Sequence, residues 1–342
     1  MFKTFNNLKL MFLIMMILST MIAISSSSWL TIWIMMEINS MAFIPIMMTI
    51  FNMNTSESMM LYFLVQSISS MNFLFIILIN NLINNWTSPM FNWKNFLMTL
   101  ILFMKMGAAP FYFWFPKVMK NISWTNNFML MTWQKIIPMT LIYYCKFFQL
   151  IFISILLSTL MGSLMALNQT NMKMIMSFSS INHMGWLMTT LLLNINIWLI
   201  YLMNYFFITY ILCKMFHYLN IKMLNNIFTS YCSNLLKLLL LLNFFSLSGM
   251  PPFLGFFPKW ITLMNLFNMK MYLLIFILIM TTLINLYFYL RIMTPSLILN
   301  HSQPKFMLMT NIPYKFSTWN MIYFSFINIL LIPTTTIVYQ II

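Results

Sequence analysis

The sequence predicts an all-α polytopic membrane protein. Three observations carry that prediction: the 342-residue chain is 62% hydrophobic, only 6% of it is charged, and its apolar runs are long enough to cross a bilayer. An ordinary soluble domain carries roughly 25% charged residues, and no packing of a chain this size hides so much apolar surface behind so few ionisable side chains. Disorder is excluded by 35 Phe, 15 Tyr and 11 Trp, which disordered chains lack. A β-barrel is excluded because its strands alternate apolar and polar residues over about 10 positions, whereas these runs are continuous.

A hydrocarbon core of about 30 Å requires about 20 mostly apolar helical residues. Eleven spans follow, at 8–26, 29–50, 58–79, 95–116, 124–144, 148–167, 173–193, 196–216, 236–267, 271–291 and 319–340. The first begins at Leu8 and is already long enough to span, so no cleavable presequence is expected. The second contains Glu37, the fourth Lys105 and the fifth Lys135 before Pro138. The seventh gathers Ser177, Ser179, Ser180, Asn182 and His183. The ninth, at 32 residues, is too long for one straight helix and contains Lys259. The whole of 1–342 is read as a single transmembrane domain, since the longest loops, 217–235 and 292–318, are too short for a folded extramembrane domain.

With that span count, Lys3, Lys9, Lys117, Lys120, Lys173, Lys214, Lys222, Lys237, Arg291, Lys305 and Lys315 fall on one side of the membrane, and only Lys94, Lys146 and Lys270 on the other. By the positive-inside rule the N-terminus and the richer side face the matrix, and an odd number of spans puts the C-terminus in the intermembrane space. The net charge of +15 is scattered rather than gathered into a patch, so nucleic acid is not an expected partner. Ala, Val, Gly, Arg and Asp are scarce, Ile, Leu, Phe and Asn abundant, and Met reaches 41 copies. AT-rich coding with AUA read as methionine produces that bias, which predicts a mitochondrially encoded protein of the inner membrane. An AT-rich bacterial gene is the alternative.

The candidate functional residues are the four charges inside spans: Glu37, Lys105, Lys135 and Lys259. Each costs about 2.5–3.5 kcal/mol at a helix centre, roughly 10 kcal/mol together. Structural pairing is the competing explanation, but one carboxylate cannot balance three ammonium groups. Lys105 is followed by Gly107, Ala108, Ala109 and Pro110; Lys259 follows Ser248, Gly249, Pro251 and Pro252. Both helices are therefore expected to be interrupted, and irregular backbone at membrane depth is tolerated only against protein or a water-filled cavity. A buried lysine whose charge state depends on its neighbours can relay protons. His183 is the side chain best able to exchange protons near neutral pH, but a lone His on a helix is more often hydrogen-bonded packing than a relay.

Cys145, Cys213 and Cys232 show no metal or disulfide spacing, and there is no GxGxxG, GxxxxGK[ST], HExxH or CxxC sequence. No cofactor, metal or small-molecule substrate other than protons is expected.

Four stretches carry a resemblance: Lys105-Met-Gly-Ala-Ala-Pro-Phe, Thr132-Trp-Gln-Lys135-Ile-Ile-Pro, Ser179-Ser-Ile-Asn-His-Met-Gly-Trp186, and Gly249-Met-Pro-Pro-Phe-Leu-Gly-Phe-Phe-Pro-Lys259-Trp. Together with Trp33 to Asn39 around Glu37, they resemble the subunit 2 family of mitochondrial NADH:ubiquinone oxidoreductase, respiratory complex I, over residues 8 to 340. An arthropod source would suit the composition. The resemblance implies an antiporter-like membrane-arm subunit with two inverted five-helix repeats and two discontinuous helices. It implies that Glu37, Lys105, Lys135 and Lys259 form a proton-transfer axis, that the partners are other membrane-arm subunits and inner-membrane lipids, and that flavin, iron–sulfur and NADH chemistry takes place elsewhere in the assembly. The implied activity is proton translocation coupled to electron transfer from NADH to ubiquinone; a stand-alone cation/proton antiporter is the alternative. Two positions depart from the family pattern: Tyr112 stands where His is common, and Lys117 where Glu is common.

Overall fold

The computed structural model describes residues 2–48, 53–83, 93–224 and 234–298. Among them the chain forms thirteen helices: α1 (Phe2–Ser25), α2 (Trp29–Met47), α3 (Met53–Ile83), α4 (Trp93–Met106), α5 (Trp114–Asn121), α6 (Trp124–Met131), α7 (Trp133–Tyr144), α8 (Phe148–Ala166), α9 (Met172–Leu193), α10 (Ile195–Tyr218), α11 (Asn234–Ser248), α12 (Phe256–Asn268) and α13 (Tyr272–Ile298). These helices account for the first ten expected spans; the eleventh, 319–340, lies outside the described residues.

Six helices, α1, α2, α3, α8, α10 and α13, are long and apolar enough to cross a membrane by length and composition alone. They leave Leu10, Met21, Phe75, Met203 and Leu273 exposed, a surface suited to lipid rather than water. The other expected spans are pairs of short helices (α4/α5, α6/α7, α11/α12) or, for α9, a helix with 19 of its 22 residues buried. A helix hidden on every side belongs to the interior. All four candidate charges except Glu37 lie on the short pairs.

Both anticipated interruptions are present, and they are built alike. After α4, Gly107 takes φ +69°; its N–H bonds the Met104 carbonyl at 3.3 Å, and the Ala108 N–H bonds Phe103 O at 3.1 Å. After α11, Gly249 takes φ +80°, with Gly249 N–H on Ser246 O at 3.2 Å and Met250 N–H on Phe245 O at 3.2 Å. Each is a Schellman closure, in which a left-handed residue, most favourable for glycine, satisfies carbonyls at the helix end. The prolines that follow cannot continue the helix. The two stretches share one register: Gly107, Pro110, Phe111, Phe115, Pro116 and Lys117 correspond to Gly249, Pro252, Phe253, Phe257, Pro258 and Lys259.

A third break was not anticipated. The expected span 124–144 is divided at Thr132, which adopts φ −118° and ψ −70° between α6 and α7. Its hydroxyl folds back onto the Phe128 carbonyl at 2.7 Å, a local bond that competes with the helical ladder. Lys135 N–H then reaches only three residues back, to Thr132 O at 3.2 Å.

The chain divides into two compact units, Met1–Ser158 and Thr159–Ile342. In the first, α2 packs on α1 and α3, and α4 and α5 pack on α3; Phe43, Tyr62 and Trp114 form a ring series at 5.4 and 6.1 Å. In the second, α9 and α12 pack on α10, and Phe216, Phe244 and Tyr289 tie α10, α11 and α13 at 5.7 and 5.3 Å. Gly162 permits the approach of α8 to α9: a Cβ there would lie 2.7 Å from the Asn182 backbone nitrogen.

Candidate functional site

The first unit contains Glu37, Lys105 and Lys135. Lys105 is 6% exposed and Lys135 is 3% exposed, so both ammonium groups stand among protein atoms rather than lipid. Lys105 occupies the last turn of α4, where the negative end of the helix dipole favours a cation, and its carbonyl accepts Gln66 Nε2 at 3.1 Å. Glu37, half-buried on α2, interacts electrostatically with Lys105 and Tyr62. Its Oε2 is buried without a hydrogen-bond partner. The carboxylate and the ammonium are thus coupled electrostatically, with no hydrogen bond from that oxygen.

Beside Lys105 lies a narrow polar cleft of about 10 Å³, lined also by Asn39, Ser40, Gln66, Gln134 and Pro138. That is room for about one water. Pro138 has no N–H to return to the Gln134 carbonyl. Lys135 points its ammonium at the face of Phe115, 4.9 Å from the ring centroid. Phe115 can be there because Gly107 has no side chain: a Cβ on Gly107 would meet Phe115 Cβ at 2.9 Å. The turn that ends α4 therefore also places the ring that faces Lys135.

Gln134 is the residue the sequence reading missed. Its amide exchanges bonds with Asn39 at 3.3 and 3.4 Å, accepts from Tyr62 Oη at 3.4 Å, and donates to Met16 Sδ at 3.3 Å. It thereby ties α7 to α1, α2 and α3, next to Lys135 in sequence. An amide side chain within an apolar span was the signal available, in the same short stretch as Lys135.

Lys259 lies in the second unit, 6% exposed. Its Nζ donates to the Ser248 carbonyl at 2.8 Å, an orphan acceptor at the end of α11, and stands 5.6 Å from the centroid of Trp186. Helix dipole, carbonyl and ring face together replace part of the hydration it has lost. His183 Nδ1 is 2.9 Å from Tyr201 Oη. Its neighbours Asn204, Ser246 and Pro258 line a second water-sized cavity of about 10 Å³, so hydrogen-bonded packing and room for a water coexist there. Tyr112 is buried with its hydroxyl unpartnered, while Lys117 is exposed and shares a surface cleft with Glu57 and Lys120. Among the described residues no group of His, Cys, Asp or Glu could hold a metal.

Helices broken at membrane depth, with buried lysines set at their ends, define an antiporter-like multi-pass membrane protein. Residues 26–285 match the family model for the NADH:quinone oxidoreductase/Mrp antiporter transmembrane region. The chain is 42% identical over 330 residues, 96% of either chain, to NADH-ubiquinone oxidoreductase chain 2 of Anopheles gambiae. With the protein of the same name from Locusta migratoria it shares 37% over 305 residues, 87% of this chain and 88% of that one. In fold it is similar to a chain of respiratory complex I from Thermus thermophilus with bound Aureothin, at a TM-score of 0.82 and 20% identity, covering 95% of this chain and 77% of the other. The chain belongs to the NADH-ubiquinone oxidoreductase chain 2 family.

Proposed function

We propose that this chain is the proton-translocating membrane-arm subunit of respiratory complex I, a single antiporter-like domain over 1–342 that couples electron transfer from NADH to ubiquinone to proton movement across the inner mitochondrial membrane. The observation that carries the reading is the placement of three buried lysines at interruptions of their helices, in a chain of this family. Glu37, Lys105, Lys135 and Lys259 are the residues of the proton-transfer axis. The N-terminus faces the matrix and the C-terminus the intermembrane space, by the charge bias of the loops. Other membrane-arm subunits are the partners, and redox centres are supplied elsewhere in the assembly.

Chemically, each lysine is buried where neighbouring groups make its charge tolerable. Lys259 leans on a carbonyl and a ring face, Lys135 faces a ring, and Lys105 sits at a helix end in the field of Glu37. Small movements of Glu37 or of a half-helix end change the relative stability of the ammonium and the amine. A proton can then pass on through the water-sized clefts beside Lys105 and His183.

Mild detergent extraction followed by native mass measurement tests the assignment. The expected result is recovery of the chain in a large assembly that oxidises NADH with ubiquinone as acceptor. Recovery as a single chain active in cation/proton exchange on its own would establish the antiporter instead.

A further inference from the structure

One end of the second unit carries a site that proton transfer does not use. Arg291 is the only arginine in the sequence. Its Nη1 donates to the Leu167 carbonyl at 2.9 Å, beyond the end of α8. That uses one of the five N–H donors of a guanidinium. Beside it opens a cavity of about 260 Å³ with two kinds of wall: Arg291, Gln169 and Thr170 are polar, while Phe288, Ile292 and Ile175 are apolar.

Two further cations, Lys173 and Lys222, stand two residues before its wall residues Ile175 and Leu224. The segment entering α9 and the segment leaving α10 pair through Met172 N–H on Lys222 O and Leu224 N–H on Thr170 O, both at 3.0 Å. This pairing sets Lys173 and Lys222 close enough to repel each other. No carboxylate side chain occurs anywhere after Glu57, so this end of the unit is a positive field that draws anions from outside the chain. Arg291 also terminates a stripe on α13: Phe276, Met280, Leu283 and Tyr287, spaced three or four residues apart, are all exposed. That spacing places them on one helix face.

We propose that this end of the second unit binds an anionic phospholipid, with the phosphodiester on the Arg291 guanidinium and the acyl chains along the exposed face of α13. A guanidinium matches two phosphate oxygens at once. A free phosphate would use Arg291 but has no use for Phe288, Ile292 or the apolar stripe, whereas an amphiphile uses both. The charge bias assigns this end of α13 to the matrix leaflet.

The test uses the assembled complex, stripped of lipid in detergent and incubated with phosphatidylglycerol or with phosphatidylcholine. Retained lipid per complex is quantified by mass spectrometry. Wild type is expected to retain phosphatidylglycerol in preference to phosphatidylcholine, and excess inorganic phosphate to leave it bound. Arg291→Gln, which can still donate to Leu167, is expected to lower retained phosphatidylglycerol about fivefold, the effect of one interfacial cation, with phosphatidylcholine unchanged; Arg291→Lys should fall between. Equal retention by wild type and Arg291→Gln overturns the site, and displacement by inorganic phosphate overturns the lipid in favour of a free anion. Should Arg291→Gln prevent assembly, Lys222→Gln on the exposed segment decides: reduced phosphatidylglycerol supports the site and unchanged retention refutes it. The readout does not involve proton transfer, so it stands apart from the assignment above.

Discussion

Replacing Lys135 with methionine is expected to slow NADH-driven proton transfer on the order of a hundredfold, the scale on which a positioned proton donor acts, while leaving the assembled complex in wild-type amounts. Methionine keeps the length of the stem and its thioether packs well on an aromatic ring, so the contact with Phe115 is retained while the titratable head is lost. The competing view, that the lysine only fixes helix packing, requires the opposite result. Buried charge replaced by an apolar side chain of similar volume is often neutral or stabilising, and pumping would then be unchanged. The measurement is protons moved and NADH oxidised in membranes matched for assembled complex. Unchanged rate and stoichiometry would remove Lys135 from the path.

The contrast between Lys105 and Thr132 shows how far the sequence could be read. The interruptions after Lys105 and before Lys259 were legible because glycine and proline act through the backbone, whose rules are local. The break at Thr132 was not, since threonine is an ordinary helix resident until its hydroxyl has a reason to fold back on Phe128. The four charges were legible because hydrocarbon makes any ionisable side chain conspicuous. What holds them was not: Phe115, Trp186 and the Ser248 carbonyl reach their lysines only through tertiary packing. Gln134 escaped because an amide carries no charge to mark it, and its partners on α1, α2 and α3 lie 72 to 118 residues away in sequence. The shared register of the two breaks was present in the sequence, and it exposes an asymmetry. Lys259 is buried at the position where the first break has the exposed Lys117, so the first break draws its buried lysine from α4, two residues before Gly107.

Two glycines of the second break should fail in different ways when a single methyl group is added, and the difference locates the function of the break. At Gly249 the added Cβ would meet the Lys259 side chain, 2.9 Å from Cδ and 3.0 Å from Nζ. A flexible stem can move aside, so Gly249→Ala costs about 1–2 kcal/mol for the left-handed backbone and displaces the ammonium from Ser248. The expected outcome is an assembled complex with strongly reduced proton transfer. At Gly255 the Cβ would collide with the Ser246 carbonyl oxygen, which is backbone in the last turn of α11 and cannot move alone. Gly255→Ala must therefore push α11 and the turn apart, and buried helices do not repack cheaply; the expected outcome is loss of assembled complex. Quantifying assembly on native gels alongside proton transfer separates the two. A Gly249→Ala complex that assembles and pumps at the wild-type rate would show that the Lys259–Ser248 contact has no part in proton movement.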